Sequence, residues 1–142
     1  MILYLDTSAI VKLYAAETGR AQTKRLVAAA KQVASAVVAY AETRAALARK
    51  YRMRQISEEE FSRYKNEFEA DWTGFLRLAV DAQLARAAGE FAERFGLRAY
   101  DSLHLASAAH LLSETRSPIS FASFDSALNT AASGIGLTVP TG

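Results

Sequence analysis

Four acidic residues stand out because each lies where a folded chain could bring its carboxylate towards a common point. Asp6 follows the apolar run Ile2–Leu5, and Glu42 lies among alanines in a helical pattern. Asp101 and Asp125 stand at the starts of two further helical patterns. Carboxylate oxygens are the ligands that Mg²⁺ and Mn²⁺ prefer. A group of such acids would suit a divalent metal site.

The surroundings of Asp6 support two interpretations. The apolar run before it predicts a short buried strand, and Thr7 and Ser8 are candidate N-caps for the helix that follows. At the carboxyl end of a strand in an open α/β sheet, Asp6 would lie on the edge where ligands bind. Asp is also a favoured helix cap, so Asp6 alone is equally well explained as a cap.

Glu42 has apolar neighbours on its own predicted helix. Val38, Ala45 and Ala46 lie at i−4, i+3 and i+4, the positions that share its face. Burying a carboxylate on such a face is costly unless a cation or a set of hydrogen-bond donors accompanies it. An ion pair with a nearby arginine is the structural alternative to a metal ion.

The order of predicted elements indicates how these acids could meet. Strand-like runs alternate with helical patterns along the chain, and they cover residues 2–5, 33–34, 75–78, 119–122 and 137–139. We expect Ser35 to cap a long helix over 37–49, and Ser57 with Glu60 to form a capping box. Asp101 should begin another helix. This alternation predicts a single domain, residues 1–142, with a three-layer α/β/α fold around a mainly parallel sheet.

Composition excludes several classes of site. The chain has no cysteine, which rules out disulfides and thiolate ligands and fits a cytoplasmic protein. No apolar run approaches the roughly 18 residues of a membrane span, and Asp6 interrupts the N-terminal run, which argues against a signal peptide. His104 and His110 are not at the i, i+4 spacing of a helical zinc site. We interpret both histidines as packing or surface residues.

Charge is distributed unevenly along a chain whose net charge is only +2. Residues 18–57 contain nine basic residues and a single acid, Glu42. Such a segment predicts a surface that binds a polyanion. A solvated basic helix face is the alternative.

The acids occur in short motifs that resemble those of the PIN-domain family, and in particular its VapC-type ribonuclease toxins. The matching pieces are residues 5–9, 11–14, 41–42, 98–106 and 123–125. The resemblance extends over essentially the whole chain, with the pieces in the family's order. A phosphatase of the haloacid-dehalogenase type also begins with a strand ending in Asp, but it would need a second Asp where Ser8 stands.

The resemblance implies a metal-dependent endoribonuclease that a cognate antitoxin inhibits and that commonly forms a homodimer. Asp6, Glu42, Asp101 and Asp125 would hold one or two Mg²⁺ or Mn²⁺ ions, with the hydroxyls of Ser8 and Ser123 beside them. Repulsion among the four acids should raise the pKa of at least one. The basic segment would then hold RNA phosphates, with these candidates: Arg44, Arg49, Lys50, Arg52 and Arg54. The main alternative is a PIN-like module that binds RNA or a protein partner without cleavage.

Overall fold

Four parallel strands form the centre of the computed structural model, which describes residues 1–141. They are β1 (Ile2–Leu5), β2 (Gln32–Ala36), β3 (Leu76–Leu78) and β4 (Ile119–Ala122). Their order across the sheet is β3-β2-β1-β4, and each neighbouring pair is parallel. Gly142, the last residue of the predicted domain, lies outside the described residues.

Helices cover both faces of this sheet. They are α1 (Thr7–Tyr14), α2 (Arg20–Ala29), α3 (Val38–Arg52), α4 (Glu58–Trp72), α5 (Ala82–Phe95), α6 (Ala99–Thr115) and α7 (Ser126–Gly134). Because side chains alternate along a strand, Leu3 and Leu5 pack with α1, α3 and α4, while Tyr4 packs with α6 and α7. The predicted three-layer α/β/α fold with a parallel sheet is therefore confirmed. Among residues 1–141, none of the helices combines the length and hydrophobicity needed to cross a bilayer.

Strand pairing brings the ends of β1 and β4 together. Leu5 is in register with Ala122, and the Asp6 amide donates to the Ala122 carbonyl at 3.1 Å. The residues that follow these two strands therefore emerge side by side at the carboxyl edge of the sheet. This edge is where open α/β sheets place their ligands.

Helix starts differ from the prediction at two positions near this edge. Asp6 caps α1, as one of its two interpretations predicted, and the candidates Thr7 and Ser8 do not, because the Asp6 carboxylate accepts the Ala9 amide at 2.9 Å. Ser35 does not cap α3: β2 continues to Ala36, which places Ser35 inside the sheet, where its hydroxyl donates to the Leu5 carbonyl at 2.7 Å.

Two predictions in the C-terminal half also need correction. Helix α6 begins at Ala99, so Asp101 lies in its first turn and does not cap it. The predicted strand over 137–139 is reduced to one isolated parallel bridge between Ser120 and Thr138. By contrast, the capping box of Ser57 and Glu60 is present as predicted, because its two hydrogen bonds involve only neighbouring residues.

Candidate active site

The four predicted acids line one pocket of about 300 Å³ at the carboxyl edge of the sheet, here called the acidic pocket. Asp6 follows β1, Glu42 comes from the N-terminal part of α3, Asp101 from the first turn of α6, and Asp125 from the N-cap of α7. The other lining residues are Thr7, Ser8, Arg98, His104 and Phe124. Tertiary structure thus brings together acids that are 36 to 119 positions away from Asp6 in the sequence.

Asp6 is the most buried of these acids, with 3% of its surface exposed. Its Oδ1 accepts the Ser8 hydroxyl at 2.7 Å as well as the Ala9 amide, and its Oδ2 accepts the Ser123 hydroxyl at 2.6 Å. The two hydroxyls are oriented by backbone amides, because Ser8 accepts from Phe124 and Ser123 accepts from Asp125, each at 3.0 Å. Both predicted serines therefore support Asp6, which acts as a helix cap and also lines the acidic pocket.

Burial raises the pKa of Asp6 above its ordinary value, although the hydrogen bonds from Ser123, Ser8 and Ala9 oppose that rise. The expected upward pKa shift within the group of acids is therefore present. Its cause differs from the one predicted, since loss of hydration dominates and repulsion from the other acids does not.

Glu42 is held by a hydroxyl and an imidazole rather than by an arginine. The Thr7 hydroxyl donates to its Oε1 at 2.8 Å, and the His104 Nε2 lies 2.8 Å from the same oxygen. Partial burial would raise the pKa of Glu42, but the hydrogen bonds from His104 and Thr7 hold it below its ordinary value. The expected alternative for Glu42, an ion pair with arginine, is wrong.

His104 is a residue whose connection to the acidic pocket the sequence analysis missed. It is buried in the core, as a packing residue would be, but it also contacts Glu42. The signal was its i+3 spacing from Asp101, which places both side chains on one face of α6. His110 lies on the surface, as interpreted.

Arg98 provides a positive charge at the mouth of the acidic pocket and was also not singled out. Its Nε lies 3.0 Å from Asp101 Oδ2, and its Nη2 lies 3.7 Å from Asp125 Oδ2. The side chain is 81% exposed, so water screens both ion pairs and the guanidinium is free to take other partners. The other oxygen of Asp125 accepts the Leu128 amide at 2.9 Å.

The donor set suits a hard divalent cation, because it consists of carboxylate and hydroxyl oxygens. Within residues 1–141, however, no three acidic or histidine side chains already converge on one point. The carboxylates point to the hydrogen-bond donors described above. Binding a cation would require Asp101 and Asp125 to exchange Arg98 for the ion, which their partial exposure permits.

The predicted RNA-binding residues divide into two groups. Arg44 pairs with Glu69 of α4 at 2.8 Å, and Lys50 pairs with Glu17 at 2.8 Å. The remaining three are exposed and have no ion pair with any residue among 1–141: Arg49, Arg52 and Arg54. Among residues 1–141, these three guanidinium groups have no acidic partner that an external ligand would have to displace.

A larger groove of about 800 Å³ lies between α1, α2 and α4, away from the acidic pocket. Its polar lining includes Lys24, Lys31 and Asp71, and the Tyr14 hydroxyl donates to Asp71 at 2.8 Å. The four predicted acids are absent from its walls, so its size does not make it the better site for metal chemistry.

The sequence of this chain matches one family model and is similar to two named relatives. The PIN domain model matches residues 3–132. Two Mycobacterium tuberculosis proteins, Ribonuclease VapC45 and Ribonuclease VapC49, are each 35% identical over 107 residues, covering 75% of this chain and 74% of theirs.

Solved structures also share the fold of this chain. Mycobacterium tuberculosis VapC20, described as a sarcin-ricin loop cleaving toxin, superposes with a TM-score of 0.67 at 19% identity, covering 91% of this chain and 94% of its own. A toxin-antitoxin complex from Klebsiella pneumoniae contains a chain that matches with a TM-score of 0.56 at 18% identity, covering 83% of both. At these identities the structural matches establish the fold alone.

Proposed function

Since this chain belongs to the PIN-domain family, we propose that it is a metal-dependent endoribonuclease that hydrolyses RNA phosphodiester bonds as the toxin of a toxin–antitoxin pair. The observation that carries this proposal is the meeting of four carboxylates from separate elements around one pocket. The names of the two relatives, each a ribonuclease, support the choice of RNA as substrate.

Asp6, Glu42, Asp101 and Asp125 are the residues proposed to hold Mg²⁺ or Mn²⁺. A bound divalent ion lowers the pKa of the attacking water and neutralises charge that develops on the phosphate. Ser8 and Ser123 orient Asp6, and any carboxylate that does not contact the ion can accept the proton of the water.

Arg98 is placed to contact the substrate phosphate beside these acids. A guanidinium group can donate two parallel hydrogen bonds to phosphate oxygens, and this one is exposed at the mouth of the acidic pocket. Without such a donor, a phosphate approaching four carboxylates would meet only negative charge from the protein.

The proposed path for the RNA runs from the acidic pocket along α3. Arg49 follows Glu42 by seven positions on this helix, a rise of about 10 Å, and Arg52 lies one turn further. Together with Arg54 these residues could hold the phosphates on one side of the cleaved bond. Arg44 and Lys50, which have acidic partners, would contribute less.

Partners and assembly are further parts of the proposal. We expect a cognate antitoxin that covers the acidic pocket, a homodimer of single-domain protomers, and action in the cytoplasm. The Klebsiella complex supports the expectation of an antitoxin, because one chain of that toxin-antitoxin complex shares this fold. Light scattering of the isolated protein tests the dimer.

A cleavage assay tests the central claim. Purified protein should cut a labelled RNA when Mg²⁺ or Mn²⁺ is present and stop when a chelator is added, and mapping the new 5′ ends would identify the target. Expression of the protein alone in bacteria should arrest growth. RNA binding without metal-dependent cleavage at any metal concentration would support the binding-module alternative instead.

A further inference from the structure

A chain of hydrogen bonds leads from the interior of the sheet to Glu42. Tyr4 lies in the middle of β1 and is fully buried, and His104 of α6 is 1% exposed. The Tyr4 hydroxyl lies 2.8 Å from His104 Nδ1, and His104 Nε2 lies 2.8 Å from Glu42 Oε1. Polar groups this deeply buried need defined hydrogen-bond partners, since each unsatisfied group would be costly.

The directions of these bonds follow from both ends of the chain of hydrogen bonds. At the outer end the Glu42 carboxylate only accepts, so His104 Nε2 donates to it. At the inner end the Ala36 amide donates to the Tyr4 oxygen at 3.2 Å, and the Tyr4 hydroxyl can donate to the bare Nδ1 of a neutral imidazole. The opposite tautomer would set the lone pair of Nε2 against a carboxylate oxygen.

Glu42 receives two hydrogen bonds on one oxygen. His104 and Thr7 both contact Oε1, and among residues 1–141 no hydrogen bond is made to Oε2. A glutamate side chain has several rotatable bonds, so holding one oxygen in place removes much of the entropy that a ligand would otherwise have to overcome.

The geometry points to a positioning role for this pair: Tyr4 favours the tautomer of His104 that donates to Glu42, and His104 holds Glu42 so that Oε2 is offered to a cation in the acidic pocket. The identity of that cation, Mg²⁺ or Mn²⁺, rests on the proposed function. Neither Tyr4 nor His104 is proposed to touch substrate or metal. Partners that orient ligands in this way change metal affinity by about 10- to 100-fold when removed.

The tautomer can be measured without any metal or RNA. Nitrogen NMR of the wild-type protein labelled in histidine should show the buried imidazole with a protonated Nε2 and a bare Nδ1. The exposed His110 is identified by its loss in His110→Gln. Recorded at alkaline pH, a spectrum of the Nδ1–H tautomer overturns the assignment.

Tyr4→Phe should raise the proportion of the Nδ1–H tautomer above that of the wild type, because only Glu42 then favours the Nε2–H form, while Tyr14→Phe is the matched control. Both variants remove a buried tyrosine hydroxyl, but that of Tyr14 donates to Asp71, outside the acidic pocket. If the two variants give the same imidazole spectrum as wild type, Tyr4 does not favour the Nε2–H tautomer.

Mn²⁺ affinity, measured by calorimetry, tests the consequence for Glu42. His104→Leu should weaken binding by about 10- to 100-fold, and His104→Gln should restore most of the loss, because an amide can donate from near the position of Nε2. Unchanged affinity in His104→Leu overturns the positioning role, as does a wild type that binds no Mn²⁺.

The outcomes separate this inference from the proposed function. A wild type that has the Nε2–H tautomer and binds Mn²⁺ but cuts no RNA supports the positioning role while contradicting the nuclease. A wild type that cuts RNA but has the Nδ1–H tautomer supports the nuclease and contradicts the positioning role.

Discussion

Glu17 and the carboxylates of the acidic pocket are satisfied in different ways. Glu17, near the end of α1, lies 3.3 Å from the Lys12 ammonium and 2.8 Å from that of Lys50. Burial alone would raise the pKa of Glu17, but the two lysines lower it below its ordinary value. In the acidic pocket, by contrast, Asp6 has hydroxyl and amide donors, and burial raises its pKa.

This difference in hydrogen-bond and charge partners indicates which carboxylates can attract a cation. Two ammonium groups already exceed the charge of Glu17, so that carboxylate has little to offer a metal ion. Serine and threonine hydroxyls satisfy oxygen lone pairs without adding positive charge. The acidic pocket therefore keeps a net negative charge, with Arg98 as its exposed and exchangeable counter-ion.

The largest expected effect compares Asp101→Asn with Glu17→Gln. Both replace a carboxylate by an amide at nearly constant volume, but only the first lies in the acidic pocket. Asp101→Asn should lower the rate of RNA cleavage by at least about 100-fold, while Glu17→Gln leaves it near wild type. Rates measured at saturating Mn²⁺ decide this, and equal rates for the two variants would contradict the proposed role of Asp101.

Metal-induced stabilisation should separate the same variants in thermal melts. Mn²⁺ binds the native state preferentially, so at 100 times its dissociation constant it should stabilise the wild type by about 2.7 kcal/mol. The increase in melting temperature should be smaller in Asp101→Asn and unchanged in Glu17→Gln. In chelator, Asp101→Asn should be as stable as wild type or slightly more so, because it loses one charge among four acids. A variant that unfolds in chelator would make Asp101 a structural residue.

RNA affinity should depend on the unpaired arginines more than on the paired basic residues. Replacing Arg49, Arg52 and Arg54 by Ala should reduce the dependence of log K on log salt by about 2, since each single-strand phosphate contact contributes about 0.7. The double variant Arg44→Ala and Lys50→Ala should change it by less than about 1.4, the value for two phosphate contacts, because these side chains already have acidic partners. Binding measured across salt concentrations with Asp101→Asn as background avoids cleavage. An unchanged slope in the triple variant would identify the basic segment as a solvated face.

The smallest effect is a difference in the pH dependence of stability. The pKa of Glu17 is lowered on folding, so its contribution is present above its unfolded pKa and is lost as pH falls through the folded value. The pKa of Asp6 is raised, so its contribution is present below its unfolded pKa and is lost as pH rises through the folded value.

Urea unfolding from neutral to acidic pH tests these opposite signs. The stability of wild type relative to Glu17→Gln should fall as pH falls, by less than about 1 kcal/mol because Glu17 is partly exposed. Relative to Asp6→Asn, the wild type should gain stability over the same change of pH. Parallel curves for the two variants would contradict the contrast between Glu17 and the acidic pocket.

Much of this protein was predictable from local sequence because its causes are local. The apolar run before Asp6 and the capping box at Ser57 act through hydrogen bonds and packing within a few residues. The alternation of strands and helices was sufficient to predict the parallel three-layer fold, and the motifs around the four acids identified the residues that line the acidic pocket.

Tertiary structure decided which partners those residues have. Ser35 was predicted to cap a helix, but it lies within β2, where it pairs with β3 and its hydroxyl donates to the Leu5 carbonyl of β1. His104 was interpreted without reference to Glu42, 62 positions away, and Arg44 and Lys50 were grouped with arginines that have no acidic partner. Spacing along the chain specifies which side chains share a face of an element. Only the packing of one element against another specifies which donor, charge or carboxylate lies opposite that face.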